Sequence, residues 1–138
     1  MLEYKLQFAE FITRLFLGFL FFSQGYDKTF NIKVSGVVDT FLGDAEHLHI
    51  HRPIVTLFTY GTSFIELLGG FLLIIGLYIN YTLVTLGFDL VLVCFAFSLV
   101  RPMWDMQYVF PRLLLVIILL FFPNEYNKFG FDHFLNIR

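Results

Sequence analysis

The sequence predicts an all-α integral membrane protein, a four-helix bundle, and three observations lead to that fold class. Of its 138 residues, 58% are hydrophobic and 14% are charged, whereas a soluble domain is about 45–50% apolar and about 25% charged. The mean hydropathy is +0.77. The apolar residues also gather into runs close to the roughly 20 residues that span a bilayer. A small soluble fold could not bury this much apolar surface.

These proportions exclude an ordinary soluble globular domain and a disordered chain. Lys and Arg total 9, Asp and Glu total 11, and the net charge is -2 with neutral histidines. Because no basic tract is present, nucleic acid is excluded as a partner class. The expected partners are the lipid bilayer and, within it, other subunits of a membrane complex or further copies of this chain.

Four spans are predicted within a single transmembrane domain that covers residues 1–138. They are residues 8–26, 56–78, 82–100 and 106–122, with an extramembrane connection at 29–55. A tight turn at Asn80 and Tyr81 is expected between the second and third spans. Within the connection, the stretch VVDTFLGDA predicts a short amphipathic helix that lies in the membrane interface. The basic residues divide almost evenly between the two sides, and we expect both termini in the cytoplasm.

The fourth span contains a proline, which leaves two interpretations open. The apolar run from Leu113 to Phe122 is too short to cross a bilayer, and extending it back to Met106 reaches the lower limit of about 17 residues. Pro111 then lies inside the helix, where it either kinks the helix or marks a break near the interface. The alternative is a chain of three spans with a re-entrant last segment.

Ionisable residues inside the spans are the main candidates for a functional site. A charged side chain costs about 2.5–3.5 kcal/mol at the centre of a spanning helix, so it normally faces a partner or a cavity. Arg14, Glu66 and Asp89 lie within the first three spans, and Arg112 lies nearer an end of the fourth. We interpret the four as one buried charge cluster, with Glu66 and Asp89 as candidate catalytic carboxylates.

Helical periodicity places these charges on the faces that carry the small residues. At about 100° per residue, each of the first three spans has one narrow stripe that combines charged, polar and small side chains. Small residues let membrane helices approach closely, and polar residues form hydrogen bonds across the contact. The charges are therefore predicted to point into the bundle. The stripes are Glu10, Arg14, Gly18, Phe21, Gly25 and Lys28; Thr59, Ser63, Glu66, Gly70, Leu73 and Gly76; and Thr82, Thr85, Asp89, Val93 and Ala96. The predicted helix-packing residues are Gly18, Gly25, Gly69, Gly70 and Gly76.

Depth along the helices predicts which charges meet. A rise of about 1.5 Å per residue places Arg14 and Asp89 at similar depths in two spans that run in the same direction. We therefore expect an ion pair between Arg14 and Asp89, with Glu66 within reach of one arginine. Such a cluster either fixes the register of the helices or serves as a proton path or the polar end of a small-molecule cavity.

The segment EHLHIH, residues 46–51, holds the densest set of potential metal ligands. In a strand His47, His49 and His51 would share a face, whereas in a helix only His47 and His51 would do so. Because the run has no clear fourth ligand, we expect a solvated loop and no metal site.

Redox centres bound to the chain itself are not expected. Cys94 is the only cysteine, which excludes an intrachain disulfide centre. Haem normally needs an axial histidine, and no histidine lies inside a predicted span. No flavin-binding motif is visible either.

Three motifs together resemble a known family. The first span contains Arg14-x3-Gly18-x6-Gly25-x2-Lys28, the second contains ELLGG at residues 66–70, and Gly130 and Asp132 follow the fourth span. With four spans and a long first loop, this arrangement resembles the DoxX family of small bacterial membrane proteins. The resemblance covers nearly the whole chain.

The resemblance implies a helical bundle in the bacterial inner membrane and a link to redox complexes such as thiosulfate:quinone oxidoreductase. We expect an accessory or anchoring subunit that binds a partner protein or a lipophile in the bundle, in preference to a catalytic subunit. One alternative is a quinone-reducing subunit that acts through a buried carboxylate. Another is a small transporter or proton-coupled carrier. A bound quinone is the possible cofactor, with its head near Arg14, Glu66 and Asp89.

Overall fold

The computed structural model describes residues 1–100, 106–123 and 126–135, which form helices and no strand. The helices are α1 (Leu2–Tyr26), α2 (Lys33–Asp44), α3 (Arg52–Ile75), α4 (Ile79–Val100), α5 (Met106–Phe121) and α6 (Phe131–Phe134). Three helical stretches of these residues are long and apolar enough to cross a membrane: Leu2–Asn31, Arg52–Ile75 and Ile79–Val100. The predicted fold class, an all-α membrane protein, is confirmed.

The four longest helices pack in a ring. α1 packs along α3, α3 against α4, α4 against α5, and α5 returns to α1. This order places α1 and α4 at opposite corners of the bundle. Its centre is aliphatic and aromatic, with Leu17, Phe21, Leu73, Leu86 and Leu90 almost completely buried.

The outer surface of the bundle carries many exposed apolar side chains, as expected of a surface that faces lipid. Phe8, Phe16, Phe64, Phe88 and Phe95 are each more than half exposed. Phe16 on α1 and Phe64 on α3 lie opposite to the small and polar stripes of those helices, as the periodicity predicts. Hydrocarbon around these rings replaces the water that such a surface would meet in a soluble protein.

The first two predicted inward faces are buried along their helical length, and the third is buried in part. On α4, Thr82, Asp89 and Val93 are buried, whereas Thr85 is exposed and Ala96 is only partly covered. The prediction for Thr85 was wrong because α4 is apolar all round, and its periodicity therefore says little about which side faces the bundle.

The helix ends differ from the predicted span ends for local reasons. Pro53 occupies the first turn of α3, where its missing N–H costs nothing. Gly76 ends that helix in the left-handed conformation, with φ at 72°. The turn between α3 and α4 therefore lies at residues 76–78. Asn80 and Tyr81, expected to form it, belong to the first turn of α4.

The first helix also extends beyond its predicted limits. It begins at Leu2, and after Tyr26 it continues through a π-helical turn, Asp27–Asn31. The N–H of Ile32 donates to the carbonyl oxygen of Asp27 at 2.9 Å, which closes that wider turn. Residues just after the predicted end of the span therefore remain on the helix.

The long connection contains a helix, α2, where the amphipathic stretch predicts one. Its Val34 and Val38 are buried against Val55 of α3. On the outside, Arg52 forms an exposed ion pair with Asp39 at 2.7 Å. α2 is thereby attached to the beginning of α3.

α5 is one helix with Pro111 inside it. The proline removes one backbone hydrogen bond from the first half of the helix, and the helix continues on both sides. At 16 residues α5 is shorter than the other three bundle helices, so its role as a fourth span stays a prediction.

Candidate functional site

Glycines bring α1 and α3 into backbone contact. A Cβ atom on Gly70 would lie 2.3 Å from the backbone nitrogen of Phe22, and one on Gly25 would lie 2.4 Å from the backbone nitrogen of Leu67. No side chain fits at such distances, so this close approach requires glycine at both positions.

The remaining packing glycines are also buried. Gly18 faces Ile74 across the same α1–α3 contact, and Gly69 lies against Leu86 of α4. Gly76 is buried at the end of α3, where a Cβ would lie 2.6 Å from the Cα of Gly130. Together these glycines set how closely α3 approaches its neighbours.

Arg14 is completely buried at the end of α3. Its Nε donates to Oε1 of Glu10 at 2.9 Å, and its Nη1 donates to the carbonyl oxygen of Leu73 at 2.7 Å. Its guanidinium also lies 5.6 Å from the centre of the Phe11 ring. The last carbonyls of a helix lack backbone partners and carry the negative end of its dipole. Arg14 therefore caps α3 from the neighbouring helix; we call this region the Arg14 end.

The expected ion pair between Arg14 and Asp89 is absent, and that prediction was wrong. Among the described residues neither carboxylate oxygen of Asp89 has a hydrogen-bond partner. The reason is the order of the helices, because α1 and α4 stand at opposite corners of the ring. Similar depth in the membrane brings two side chains together only when their helices are neighbours.

A second group of charges surrounds Glu66, which lies about two turns before Leu73 on α3. Nζ of Lys28 donates to both carboxylate oxygens of Glu66, at 2.7 and 2.9 Å. Asp89 is close enough to both residues to interact electrostatically, and Arg112 interacts with Glu66 in the same way. The predicted cluster is thus divided: Glu66, Asp89 and Arg112 lie together with Lys28, and Arg14 stands apart.

Lys28 was predicted to lie on the inward stripe of the first span, but the predicted charge cluster did not include it. It lies on the same stripe as Arg14, but two residues beyond the predicted end of the first span. The π-helical turn at Asp27–Asn31 keeps it on the helix, and its long aliphatic stem carries the ammonium back to Glu66. The Gly25-x2-Lys28 spacing was the available signal, because it continues the inward stripe.

A pocket of about 230 Å³ adjoins this second group. Arg112 Nη1 donates to Oε1 of Gln24 at its edge. The polar lining residues come from α1, α3 and α5, and the apolar and aromatic ones come from α4 and α5. This combination suits a molecule with a small polar head and an apolar body. The lining residues are Gln24, Glu66, Leu90, Val93, Phe97, Tyr108, Val109 and Arg112.

The three histidines of the connection do not converge. His47 lies in a short 3-10 helix, His49 has a left-handed backbone with φ at 49°, and His51 precedes α3; all three are exposed. Within the part of the chain that the structure describes, no group of three or more His, Cys, Asp or Glu side chains is arranged to hold a metal ion.

The C-terminal segment, residues 126–135, docks on the turn between α3 and α4. The N–H of Asp132 donates to the carbonyl oxygen of Gly76 at 2.9 Å. In return, the Asp132 carboxylate accepts from the N–H groups of Tyr78 and Ile79 at 2.7 and 2.9 Å. Asp132 therefore caps the beginning of α4, a role that the sequence did not suggest for this residue.

These contacts give each motif residue of the first two spans a place in the structure, and comparison with known proteins identifies the family. The family model for DoxX matches residues 9–99, well over half of the chain. The chain belongs to the DoxX family. The matched region includes Arg14, Lys28, Glu66 and Asp89, whereas Arg112 lies outside it. No curated protein and no solved structure matches the chain.

Proposed function

We propose that this DoxX-family membrane protein is a non-catalytic accessory subunit that binds a lipophilic molecule in the pocket beside Glu66 and Arg112. The observation that carries the proposal is the pocket itself. It lies among helices of the bundle and combines a polar group of side chains with an apolar, aromatic wall. Such a lining orients an amphipathic ligand, because its head and its tail find different surroundings.

The state of the polar side chains favours binding over reaction. Both oxygens of Glu66 accept hydrogen bonds from Lys28, and Arg112 donates to Gln24. Groups held in this way are oriented before a ligand arrives, which lowers the entropy cost of binding. As an accessory subunit of a redox-linked complex, the protein would hold the lipophile for a partner subunit.

Blocking the pocket tests this proposal. Val93 lines the pocket and is 8% exposed, whereas Val91 on the same helix is 54% exposed and faces outwards. We expect Val93→Phe to fill the pocket and to lower the amount of co-purifying lipophile several-fold. Val91→Phe, the same change on the outer face, is the control and should retain the wild-type amount.

The measurement is mass spectrometry of lipophiles and proteins that co-purify in a mild detergent, after gel filtration shows that both variants are folded. Equal retention by Val93→Phe and Val91→Phe would contradict the proposal. The same spectra report which protein subunits, or further copies of this chain, accompany it.

A quinone-reducing subunit is the second candidate, and Asp89 is the observation in its favour. Its carboxylate is 1% exposed, lacks a hydrogen-bond partner among the described residues and lies close to Glu66. Reduction of a quinone consumes protons, which buried carboxyl groups are able to deliver. Arg112 would hold a quinone carbonyl and Phe97 would cover the ring, while a partner subunit would supply the electrons.

Replacing Glu66 separates the two candidates. If the protein is a quinone-reducing subunit, Glu66→Gln should abolish thiosulfate-dependent quinone reduction in isolated membranes while the protein remains folded. The matched control is Glu10→Gln, which makes the same change in a buried carboxylate at the Arg14 end. Unchanged quinone reduction in Glu66→Gln would favour the accessory role.

We further propose a location in the bacterial inner membrane with cytoplasmic termini. In a Cys94→Ala background, Ser35→Cys, at an exposed position of α2, should react with a membrane-impermeant maleimide added to spheroplasts. Lys5→Cys, at an exposed position near the N-terminus, should be protected until the cells are lysed. The reverse pattern would give the opposite orientation.

A further inference from the structure

Arg112 brings a positive charge to the wall of the pocket. Within the described residues its side chain donates a hydrogen bond to a neutral partner, Gln24. The other cation of the second group of charges, Lys28, is bonded to both carboxylate oxygens of Glu66, at 2.7 and 2.9 Å. A guanidinium has five N–H donors in a planar fork, and Arg112 lines the pocket. It therefore has more donors than its bond to Gln24 uses.

Asp89 lies in surroundings that favour the neutral form of its carboxyl group. Both of its oxygens are buried and have no hydrogen-bond partner within the described residues. Glu66 is close enough to repel a second negative charge, and Lys28 is already bonded to Glu66. A carboxylate that is removed from water and receives no hydrogen bond is much less stable than the protonated acid. We therefore count Asp89 as uncharged.

The second group of charges then carries one excess positive charge. Lys28 and Glu66 cancel each other, Asp89 is neutral, and the charge of Arg112 remains. Glu66 also lines the pocket, but its oxygens are held by Lys28, so a ligand that approaches Arg112 meets an ion pair and not a free carboxylate. An excess charge inside a membrane bundle is costly. An anion in the pocket would compensate for it.

Building on the proposed lipophile site, we infer that the pocket binds a single-chain amphiphile with a carboxylate head, of which a long-chain fatty acid is the simplest example. The carboxylate would accept two parallel N–H bonds from Arg112, the geometry that the guanidinium fork favours. Its hydrocarbon chain would lie along Leu90, Val93 and Phe97. A carboxylate matches the single excess charge, whereas a phosphate monoester, with a charge of about −1.5 to −2 at neutral pH, exceeds it.

Lipids built on the same unsaturated chain test the head group. Oleate is an anion, oleyl alcohol is uncharged, oleylamine is a cation, and dioleoylphosphatidylglycerol carries its single negative charge on a phosphate. The purified protein in an uncharged detergent is incubated with an equimolar mixture at mildly alkaline pH, at which oleate is ionised. Gel filtration removes the unbound lipids, and mass spectrometry measures those retained.

We expect oleate to exceed oleyl alcohol by about tenfold or more, because hydrogen bonds between two charged groups are the stronger ones, and to exceed oleylamine by a larger factor. Equal retention of oleate and oleyl alcohol would overturn the inference. Retention of phosphatidylglycerol at or above the level of oleate would contradict the carboxylate head, because the site would then take the phosphate of a membrane lipid.

Substitutions of Arg112 separate its charge from its packing. Arg112→Gln removes the excess charge, so oleate should lose its advantage over oleyl alcohol. Arg112→Lys keeps the charge but loses the fork, so the advantage should persist at a smaller factor. The control Arg52→Gln makes the same change at the exposed ion pair with Asp39 and should keep the wild-type order. An unaltered advantage of oleate in either Arg112 variant would contradict a head that is held by the guanidinium.

Asp89→Asn tests the neutral state of that residue. Asparagine has nearly the shape of a protonated carboxyl group and no charge, so we expect the wild-type advantage of oleate. If Asp89 were ionised, its replacement would add one positive charge to the group and would raise the retention of oleate several-fold. Such a rise would overturn the charge count on which the inference depends.

The two pocket variants separate this inference from the proposed function. If oleate has no advantage while Val93→Phe still retains less of every lipid than Val91→Phe, the predicted head is wrong and the site stands. If Val93→Phe and Val91→Phe retain the lipids equally, the proposed site fails and the head-group preference fails with it.

Discussion

The Arg14 end and the pocket region, by which we mean Lys28, Glu66, Asp89 and Arg112 with the pocket beside them, use buried charges in different ways. At the Arg14 end the guanidinium caps the last carbonyls of α3, and Glu10 on its own helix accompanies it. In the pocket region Lys28 and Glu66 form an ion pair between helices, and Asp89 beside them has no partner within the described residues. The first region fixes a helix end, whereas the second lies beside a pocket.

The difference shows why two sets of buried charges in one bundle need not share a role. A charge whose partners are backbone carbonyls fixes the position of a helix, because those carbonyls cannot move independently. A charge beside a pocket meets side chains that are able to exchange partners. Stability should therefore depend mainly on the Arg14 end, and ligand binding mainly on the pocket region.

The largest expected effect is the removal of Arg14. Arg14→Met leaves the buried Glu10 carboxylate without its partner and takes one of two donors from the Leu73 carbonyl, so we expect the free energy of unfolding to fall by about 3–5 kcal/mol. Thermal unfolding in detergent, followed by circular dichroism, measures it. The double variant Glu10→Leu/Arg14→Met should recover part of the loss. A loss of stability in Arg14→Met smaller than that in Arg112→Gln would contradict the proposal that stability depends mainly on the Arg14 end.

The glycine contact between α1 and α3 should give the next largest effect. Gly70→Ala forces a Cβ against the backbone of Phe22, and overpacking of this kind costs about 1–3 kcal/mol or more. Gly61→Ala in the same helix is the control, since a Cβ there meets nothing within 4 Å. The unfolding temperature of Gly61→Ala should equal or exceed that of the wild type. Similar losses in both variants would show that the close approach to Phe22 is not what makes Gly70 necessary.

A smaller effect is expected at the C-terminal segment. Asp132→Ala leaves the N–H groups of Tyr78 and Ile79 without their acceptor, which should cost about 1–2 kcal/mol, as the loss of a helix cap does. Asp39→Ala breaks only an exposed ion pair and should cost less than about 1 kcal/mol. Thermal unfolding of the two variants side by side gives the comparison. An equal loss of stability in Asp132→Ala and Asp39→Ala would contradict the capping role of Asp132.

The smallest stability effect should come from Arg112→Gln. Arg112 is only partly buried, and its side-chain hydrogen bond goes to Gln24. Glutamine still offers a donor at this position, so we expect a change of less than about 1 kcal/mol in the free energy of unfolding. The amount of lipophile that co-purifies should fall in the same variant, because Arg112 lines the pocket. A stability loss as large as that of Arg14→Met, with an unaltered amount of lipophile, would give the two regions the same role.

The inward faces of α1 and α3 were predictable because both helices have one clear stripe of small and polar residues. The packing glycines and the family were predictable as well, because both are recognised from short sequence motifs. Thr85 on α4 was misplaced because that helix is apolar on every side. Lys28 was placed on the inward stripe but left out of the charge cluster, because it lies beyond the predicted end of the span and the π-helical turn that retains it has no simple signature in the sequence.

The sequence by itself determined that this is an all-α membrane protein, which faces of α1 and α3 turn inwards and that its buried charges are few. Composition is enough to predict a membrane protein, because it reflects the solvent around the chain. Periodicity is enough to predict an inward face, because it depends only on neighbouring turns of one helix. Only the tertiary structure decided that Arg14 meets Glu10 and Leu73, and that Asp89 stands beside Glu66. Pairing depends on which helices are adjacent, and that order arises from close packing of whole helix faces, beyond the reach of any local pattern.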